Sequence, residues 1–251
     1  MLENSLLTFN IFKPLPGFIH GFSTREMDGG SSLGPFYNLN LGNFQFDEKA
    51  RIMHNRLLFF KRFYIDPARV AYARQIHSGN VQVIDRPGSY DNCDALITRQ
   101  KNIYLTVQTA DCFPLFVIEP AAKIVALIHA GWRGVVRNIV EHSIEKMVSS
   151  LDAEPSRMVA AIGPGLRSEC FEVKSDVFKQ IPAAYCFSHA ENIKRYIDLA
   201  GFITEKLIAL GLNFKNIEVS TLCTRCRSDL FFSYRRDGIK SGRMMGLLGI
   251  C

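Results

Sequence analysis

The sequence predicts a single domain of the mixed α/β or α+β class. Short apolar runs alternate along the chain with segments whose apolar residues recur every three or four positions, which indicates interleaved strands and helices. Hydrophobic residues make up 47% and charged residues 22% of the 251 residues, an ordinary globular composition. No linker or change in composition divides the chain, so residues 1–251 are predicted to form one domain.

The first third of the chain is predicted to contain a strand, a glycine-rich loop and a helix. Residues 18–24 alternate as a strand that leads to Arg25. Six glycines within residues 17–42 would let the backbone approach a ligand closely, although a surface loop with a solvated arginine is equally consistent. Asp47 is placed to cap a helix that ends near Tyr64.

The middle of the chain is predicted to be rich in strands. Residues 70–77 alternate with Gln75 and His77 on one face, and the turn at 78–80 predicts a hairpin with residues 81–84. Further strands are predicted at 94–98 and 103–112, the second ending at Cys112, followed by a hairpin at 115–130.

His129 is predicted to lie at a junction between a strand and a helix. From Gly131 the apolar residues recur at helical spacing as far as Leu151, which predicts a helix of about five turns. Free N–H groups at its start, with Arg133 in the first turn, would attract an anion. Beyond it, a strand is predicted at 156–163, a helix at 198–211 and a strand at 215–221.

His77, Cys112 and His129 form a candidate metal site, since each is predicted at the end of a strand. Catalytic zinc commonly has three protein ligands and an open fourth position, and imidazole and thiolate ligands also suit copper. Structural histidines and buried cysteines remain the alternative interpretation. Cys223 and Cys226 form a CxxC pair without a second pair, which favours structural or substrate-adjacent thiols over redox catalysis.

The bulk properties narrow the class of protein. Seven cysteines in a chain with no secretory signal favour reduced thiols and a cytoplasmic protein. No apolar stretch approaches the roughly 20 residues that a membrane span needs. The net charge of +6 fits an anionic small substrate, whereas the absence of a zinc finger, an RNP-like motif or a long basic run argues against nucleic acid.

Several motifs, in order along nearly the whole chain, resemble the YfiH/laccase-domain family, whose members are also described as purine nucleoside phosphorylases, polyphenol oxidases and peptidoglycan editing factors. The motifs are GFSTR, ARQIHSGNVQVI, DALIT, VQTADCFPLFV, VALIHAGWRGV, AAIGPGL, CFEV and FFSYRRDG. The resemblance implies an α+β fold, an α/β/β/α sandwich of two mixed sheets flanked by helices. It also implies a Zn²⁺ site at His77, Cys112 and His129.

The resemblance further implies phosphorolysis of adenosine, inosine and methylthioadenosine, and hydrolytic deamination of adenosine. Purine nucleoside and phosphate would then be the ligands, with Arg25, Gln75 and Arg133 as binding residues and the metal ligands as catalytic residues. Asp111 could act as an acid or base, or cap its own turn. The STREMDGGSS loop is longer than the usual family form, which affects the loop contacts more than the metal site.

Three alternatives remain open. A copper-dependent polyphenol oxidase would use the same ligands, but the chain has six scattered histidines and no HxH pair. A cysteine hydrolase or amidase that edits peptidoglycan precursors would use Cys112 as its nucleophile and a histidine as its base. A zinc-stabilised binding protein would use the same three residues to bind the metal but would not catalyse a reaction.

Overall fold

The computed structural model describes residues 2–3, 6–42, 44–188 and 194–251. Its strands are β1 (Leu2–Glu3), β2 (Leu6–Leu7), β3 (Phe18–Ser23), β4 (Val70–Ala73), β5 (Val81–Val83), β6 (Gly88–Tyr90), β7 (Ala95–Thr98), β8 (Tyr104–Thr109), β9 (Phe113–Glu119), β10 (Ile124–Ala130), β11 (Val159–Ile162), β12 (Glu172–Val173), β13 (Cys186–Ser188), β14 (Arg195–Ile197), β15 (Ile217–Val219) and β16 (Met244–Ile250). Its α-helices are α1 (Lys49–Lys61), α2 (Trp132–Val136), α3 (Ile139–Leu151), α4 (Ser175–Phe178), α5 (Leu199–Ala209) and α6 (Tyr234–Asp237).

Most strands belong to two mixed sheets. The seven-stranded sheet has the order β1-β2-β3-β16-β8-β4-β6, and the six-stranded sheet has the order β15-β11-β9-β10-β7-β5. In the first sheet β4 runs parallel to β6 and β8, and in the second β5 pairs in parallel with β7 and β11 with β15. The remaining strands β12, β14 and β13 form a small separate sheet.

The two large sheets pack face to face between layers of helices. Along β9, Leu115 and Val117 join the core under α3 and α5, whereas Phe116 and Ile118 face the seven-stranded sheet. This alternation follows from the two-residue period of a strand, and it buries both faces of the six-stranded sheet. Helix α1 covers the far face of the seven-stranded sheet, where Phe59 packs with residues of β16. The α/β/β/α arrangement of two mixed sheets implied by the family resemblance is confirmed.

The hairpin predicted for residues 70–84 is wrong. β4 belongs to the seven-stranded sheet and β5 to the six-stranded sheet, so the chain crosses between sheets through His77. His77 has a left-handed backbone, with φ 59°. The backbone N–H groups of Ile76, His77 and Ser78 bond to the carboxylate of Asp94 instead of to a partner strand. A second crossing, between β8 and β9, contains Cys112.

The single helix predicted after Gly131 is also wrong, because it divides into α2 and α3. Asn138 between them adopts a left-handed conformation with φ 61°, which asparagine tolerates better than most residues. Nδ1 of His142 in α3 lies 2.8 Å from the carbonyl oxygen of Gly79. A Cβ atom on Gly79 would lie 2.1 Å from the carbonyl oxygen of Arg137. The interruption between α2 and α3 therefore leaves space for the turn that follows His77.

Two predicted helix caps have different outcomes. Asp198 does cap α5, because its carboxylate accepts a hydrogen bond from the N–H of Gly201 at 3.0 Å. Asp47 does not cap α1, whose first residue follows Glu48. Instead, Oδ2 of Asp47 accepts bonds from side chains of Ser32 and Asn40 in the glycine-rich loop. No helix in the described ranges is both long enough and apolar enough to cross a bilayer.

Replacement of Phe116 by Ala is expected to lower the free energy of unfolding by about 3–5 kcal/mol, because it opens a cavity between the sheets. The ring is fully buried, and its centroid lies 4.9 Å from that of Phe9. A Cβ on Gly246 would lie 3.1 Å from Cζ of Phe116. Equilibrium unfolding in urea measures the change. The matched control is Phe214→Ala, at a ring that is 67% exposed, and an equal loss in both variants would contradict this account of the core.

Candidate metal centre

His77, Cys112 and His129 lie together although they are distant in sequence. Their potential ligand atoms are all within 4.8 Å of one another. The centroids of the two imidazole rings are 4.8 Å apart and the rings are inclined at 80°. His129 is buried, Cys112 is partly buried and His77 is exposed, so the cluster opens to solvent on the side of His77.

Three adjacent strands of the six-stranded sheet position these side chains. β10 lies between β9 and β7. His129 stands opposite Pro114 of β9, which places it beside Cys112, the residue immediately before that strand. Asp94 immediately precedes β7, and its carbonyl oxygen accepts a hydrogen bond from the N–H of His129 at 2.7 Å. The register of these strands therefore sets the distance between the potential metal-ligand atoms of Cys112 and His129.

The carboxylate of Asp94 joins the two histidines. It is fully buried, and Oδ1 accepts from the N–H of His77 at 2.9 Å and from Nδ1 of His129 at 2.8 Å. Oδ2 accepts hydrogen bonds from the backbone N–H and the hydroxyl of Ser78, both at 2.7 Å. It also accepts one from the backbone N–H of Ile76. Burial acts to raise the pKa of Asp94, but the hydrogen bonds from His129 and Ser78 outweigh it and lower the pKa to about 2.

Electrostatics favour a thiolate at Cys112. Burial acts to raise the pKa of this thiol, but the neighbouring His129 and His77 lower it below its usual value. Burial acts to lower the pKa of His129, whereas Cys112 and Asp94 together raise it. Because Nδ1 of His129 donates to Asp94, Nε2 is the nitrogen available to an ion.

Gly131 is required for the close packing of these groups. A Cβ at this position would lie 2.8 Å from Sγ of Cys112 and 3.2 Å from Cδ2 of His77. The backbone of Gly131 is in the ordinary extended region, with φ −79°, so space and not conformation accounts for the glycine. The turn that begins α2 therefore packs directly against the donors.

The donors fit a borderline or soft metal ion. Two imidazole nitrogens and one thiolate form a three-ligand set suited to zinc or copper, and the exposed side leaves room for a further ligand. A histidine whose second nitrogen donates to a buried carboxylate is the usual arrangement around such ions. The described residues contain one other group of this kind, formed by Cys170, Cys223 and Cys226.

Asp111 and Gln75 lie in the loops around the centre, where both make internal hydrogen bonds. Oδ1 of Asp111 accepts from the hydroxyl of Thr224 at 2.7 Å, and Oδ2 accepts from the N–H of Arg235 at 2.6 Å. Asp111 thus connects the turn before Cys112 to the turn of Thr224 and to helix α6. The side-chain amide of Gln75 bonds to both backbone groups of Gln108, at 2.7 and 2.8 Å.

Three arginines that could bind an anion differ in their surroundings. Arg133 is exposed, with its guanidinium 4.6 Å from the ring of Trp132 in the short helix α2. Arg25 stacks over Phe232 at 4.8 Å, and its Nε is buried without a hydrogen-bond partner among the described residues. Burial lowers the pKa of Arg243, although the nearby Cys112 and Asp111 act to raise it.

Sequence reasoning missed Asp94 and Arg243 as parts of the centre, and it used Gly131 only as the start of a helix that could bind an anion. In the sequence Asp94 is predicted only as the first residue of a strand, and Arg243 is one of several basic residues near the end of the chain. One signal was available for Asp94, since histidine ligands usually need a carboxylate or carbonyl partner. For Arg243 the sequence offers only a basic residue after a glycine.

The sequence matches a family model described as "Multi-copper polyphenol oxidoreductase laccase" over residues 19–251. The chain belongs to this YfiH/laccase-domain family. It is 31% identical over 247 residues to the purine nucleoside phosphorylase YlmD of Bacillus subtilis (strain 168), covering 92% of this chain and 88% of that protein. It is 33% identical over 243 residues to the adenosine deaminase RL5 of an unknown prokaryotic organism, covering 90% and 91% of the two chains.

A solved structure of the YfiH/laccase-domain family agrees with this fold over almost its whole length. The crystal structure of the Bacillus licheniformis hypothetical protein YfiH superimposes with a TM-score of 0.92 at 28% sequence identity. The superposition covers 99% of this chain and 97% of that one. The similarity therefore includes both large sheets and the strands that position the centre.

Replacement of Asp94 by Asn is expected to weaken zinc binding by about 10–100-fold, because the amide cannot accept from every donor that the carboxylate now serves. Zinc affinity is measured by competition with a chromophoric chelator. The control is Asp91→Asn, which removes an exposed carboxylate paired with Arg74 at 2.9 Å. Unchanged zinc affinity in Asp94→Asn would show that this carboxylate does not position the histidines.

Proposed function

We propose that this chain is a zinc-dependent purine nucleoside enzyme of the cytoplasm, acting as one domain over residues 1–251. It would cleave adenosine, inosine and methylthioadenosine with phosphate, and deaminate adenosine with water. The observation that carries the proposal is the convergence of His77, Cys112 and His129 beside the half-buried Arg243, with both histidines held by the buried carboxylate of Asp94. The names of the relatives, purine nucleoside phosphorylase and adenosine deaminase, support the class of substrate.

His77, Cys112 and His129 would hold the zinc ion. Bound there, zinc supplies Lewis acidity at the point where substrate and nucleophile meet. The chain itself keeps the donors in place, since Asp94 orients His129 and fixes the turn of His77. The exposed side of His77 provides access for a nucleoside.

Phosphate is proposed to bind on the arginine side of the centre. Arg243 lies close to Cys112 and Asp111, and its Nη1 donates to the carbonyl oxygens of Ser241 and Gly242, which holds the guanidinium in place. A charged hydrogen bond from a half-buried arginine is stronger than one from a solvated side chain. Arg25, whose Nε has no hydrogen-bond partner in the described part of the chain, and Arg133 would supply further positive charge.

The proposed phosphorolysis is balanced in atoms and charge. An oxygen of hydrogen phosphate forms a bond to C1′ of the ribose, and the bond from C1′ to N9 of the purine breaks. The purine leaves with the electron pair of that bond and takes up a proton. Hydrogen phosphate loses one proton when it becomes the sugar phosphate, so no other reactant is needed. The arginines hold the anion in line with C1′ and reduce the entropic barrier.

The proposed deamination uses the same donors with water as the nucleophile. Water adds to C6 of adenine and ammonia leaves, which converts adenosine to inosine. Phosphate takes no part in this reaction, so the two activities differ in their need for the arginines. Asp111 and Gln75 are proposed to act by positioning, because their polar groups hold the loops around Cys112.

Cys112→Ala is expected to abolish zinc binding at this centre and all turnover of nucleosides. In the unmodified protein, inosine should yield hypoxanthine only when phosphate is present, whereas adenosine should yield inosine without phosphate. Liquid chromatography of the products and metal analysis of the purified protein measure both effects. Cys251→Ala is the matched control, at an exposed thiol.

Three results would contradict the proposal. Nucleoside turnover that survives Cys112→Ala would show that the site is assigned wrongly. Oxidation of phenols that requires copper, with no activity on nucleosides, would favour the oxidase that the family description names. Hydrolysis of peptidoglycan precursors by the zinc-free protein would favour Cys112 as a nucleophile.

Arg243→Met is expected to raise the KM for phosphate by about 10–100-fold, because the variant loses one charge-assisted hydrogen bond to the anion. Its deaminase activity should stay within about twofold, because that reaction has no anionic reactant and zinc remains bound. The control is Arg99→Met, which removes an exposed arginine. An equal loss of both activities would indicate that Arg243 supports the fold of its loop and not phosphate.

A further inference from the structure

Three other cysteines come together outside the metal centre. Cys170 ends the turn Ser168–Cys170, and Cys223 and Cys226 lie in the turn that follows β15. Their sulfur atoms are all within 4.8 Å of one another, and Sγ of Cys170 lies 3.3 Å from Sγ of Cys226. The CxxC pair of Cys223 and Cys226 is therefore joined by a third thiol, Cys170, which lies 53 residues before Cys223 in the chain.

The spacing of these sulfur atoms matches a common ligand set. In a tetrahedral zinc site with Zn–S bonds near 2.3 Å, neighbouring sulfur atoms are about 3.8 Å apart. The separation of 3.3 Å between Cys170 and Cys226, and the upper limit of 4.8 Å on the other two separations, are compatible with that value. Thiolates select thiophilic ions over magnesium, calcium or manganese.

Donor groups surround the cluster in the way that metal thiolates require. Backbone N–H groups of Arg167, Arg225 and Cys226 face Sγ of Cys223. Nη1 of Arg225 lies 3.5 Å from Sγ of Cys170. Three thiolates and a divalent cation carry one net negative charge, which these donors would offset.

The other cysteines have different surroundings. The thiol of Cys93 donates to the carbonyl oxygen of Tyr90 at 3.3 Å, and that of Cys186 donates to two carbonyl oxygens at 3.5 Å. Those thiols are satisfied singly in their protonated form. Cys170 and Cys223 are each 8% exposed, whereas Cys226 is exposed, so the cluster has two buried members and a route to solvent.

We propose that Cys170, Cys223 and Cys226 form a second zinc site, with three thiolate ligands and water in the fourth position. Binding releases the thiol protons to solvent and changes no oxidation state. The site does not depend on the proposed nucleoside activity.

The second site is connected to the first through Asp111. Thr224, inside the CxxC turn, donates its hydroxyl to Asp111, and Arg235 bonds both to Asp111 and to the carbonyl oxygens of Cys170 and Glu172. An ion at the second site would join the turn of Cys170 to the CxxC turn. It would thereby stabilise the loop that carries Cys112.

Cobalt(II) is the probe for counting the sites. The reduced, metal-stripped protein is titrated with Co²⁺, and bound metal and sulfur-to-cobalt charge-transfer absorption are recorded. We expect about two equivalents in the unmodified protein and about one in either Cys112→Ser or Cys226→Ala. The absorption band should weaken much more in Cys226→Ala, because that variant loses the site with three thiolates. Added Zn²⁺ should remove the band.

The control is Cys251→Ala, at an exposed cysteine outside both clusters, and it should keep both ions. A single equivalent in the unmodified protein that disappears in Cys112→Ser would overturn the second site. So would an unchanged stoichiometry in both Cys226→Ala and Cys223→Ala. Loss of two free thiols in air without any gain of metal in the reduced protein would identify a disulfide pair instead. None of these results depends on turnover of nucleosides.

Discussion

The candidate centre depends on the buried carboxylate of Asp94. Three backbone N–H groups, a hydroxyl and an imidazole N–H converge on its two oxygen atoms. A charge removed from water in this way is tolerated only because these donors replace its hydration. Because the folded-state pKa of Asp94 is depressed to about 2, its contribution to stability is fully present above the unfolded pKa and is lost as the pH falls through the folded-state pKa.

Most strands and the three candidate ligands could be predicted from the sequence. The apolar runs that become β8, β9 and β10 are local signals, and they place Cys112 between the first two runs and His129 near the end of the third without knowledge of the rest of the fold. These three residues offer two kinds of ligand, imidazole and thiol, which then limit the metal ions that they can bind. The proposed phosphorolytic activity and the identity of the metal depend on more than this pattern.

The partners of each strand could not be predicted in the same way. Residues 70–84 have the pattern of a hairpin, yet β4 and β5 enter different sheets because their partners come from distant segments. The role of Asp94 depends on that crossing, since its donors come from a turn that no local pattern specifies. The interruption after α2 has the same origin, because it accommodates the turn at Gly79.

The left-handed, exposed turn of His77 makes the three donors unequal. Cys112 and His129 are fixed beside two central strands, whereas His77 is attached to the sheet through hydrogen bonds to Asp94. In coordination terms the set is asymmetric, with two shielded donors and a third whose imidazole faces solvent from an anchored turn. Ligand exchange at the centre would therefore proceed from the solvent side, past His77, while the strands keep Cys112 and His129 in register.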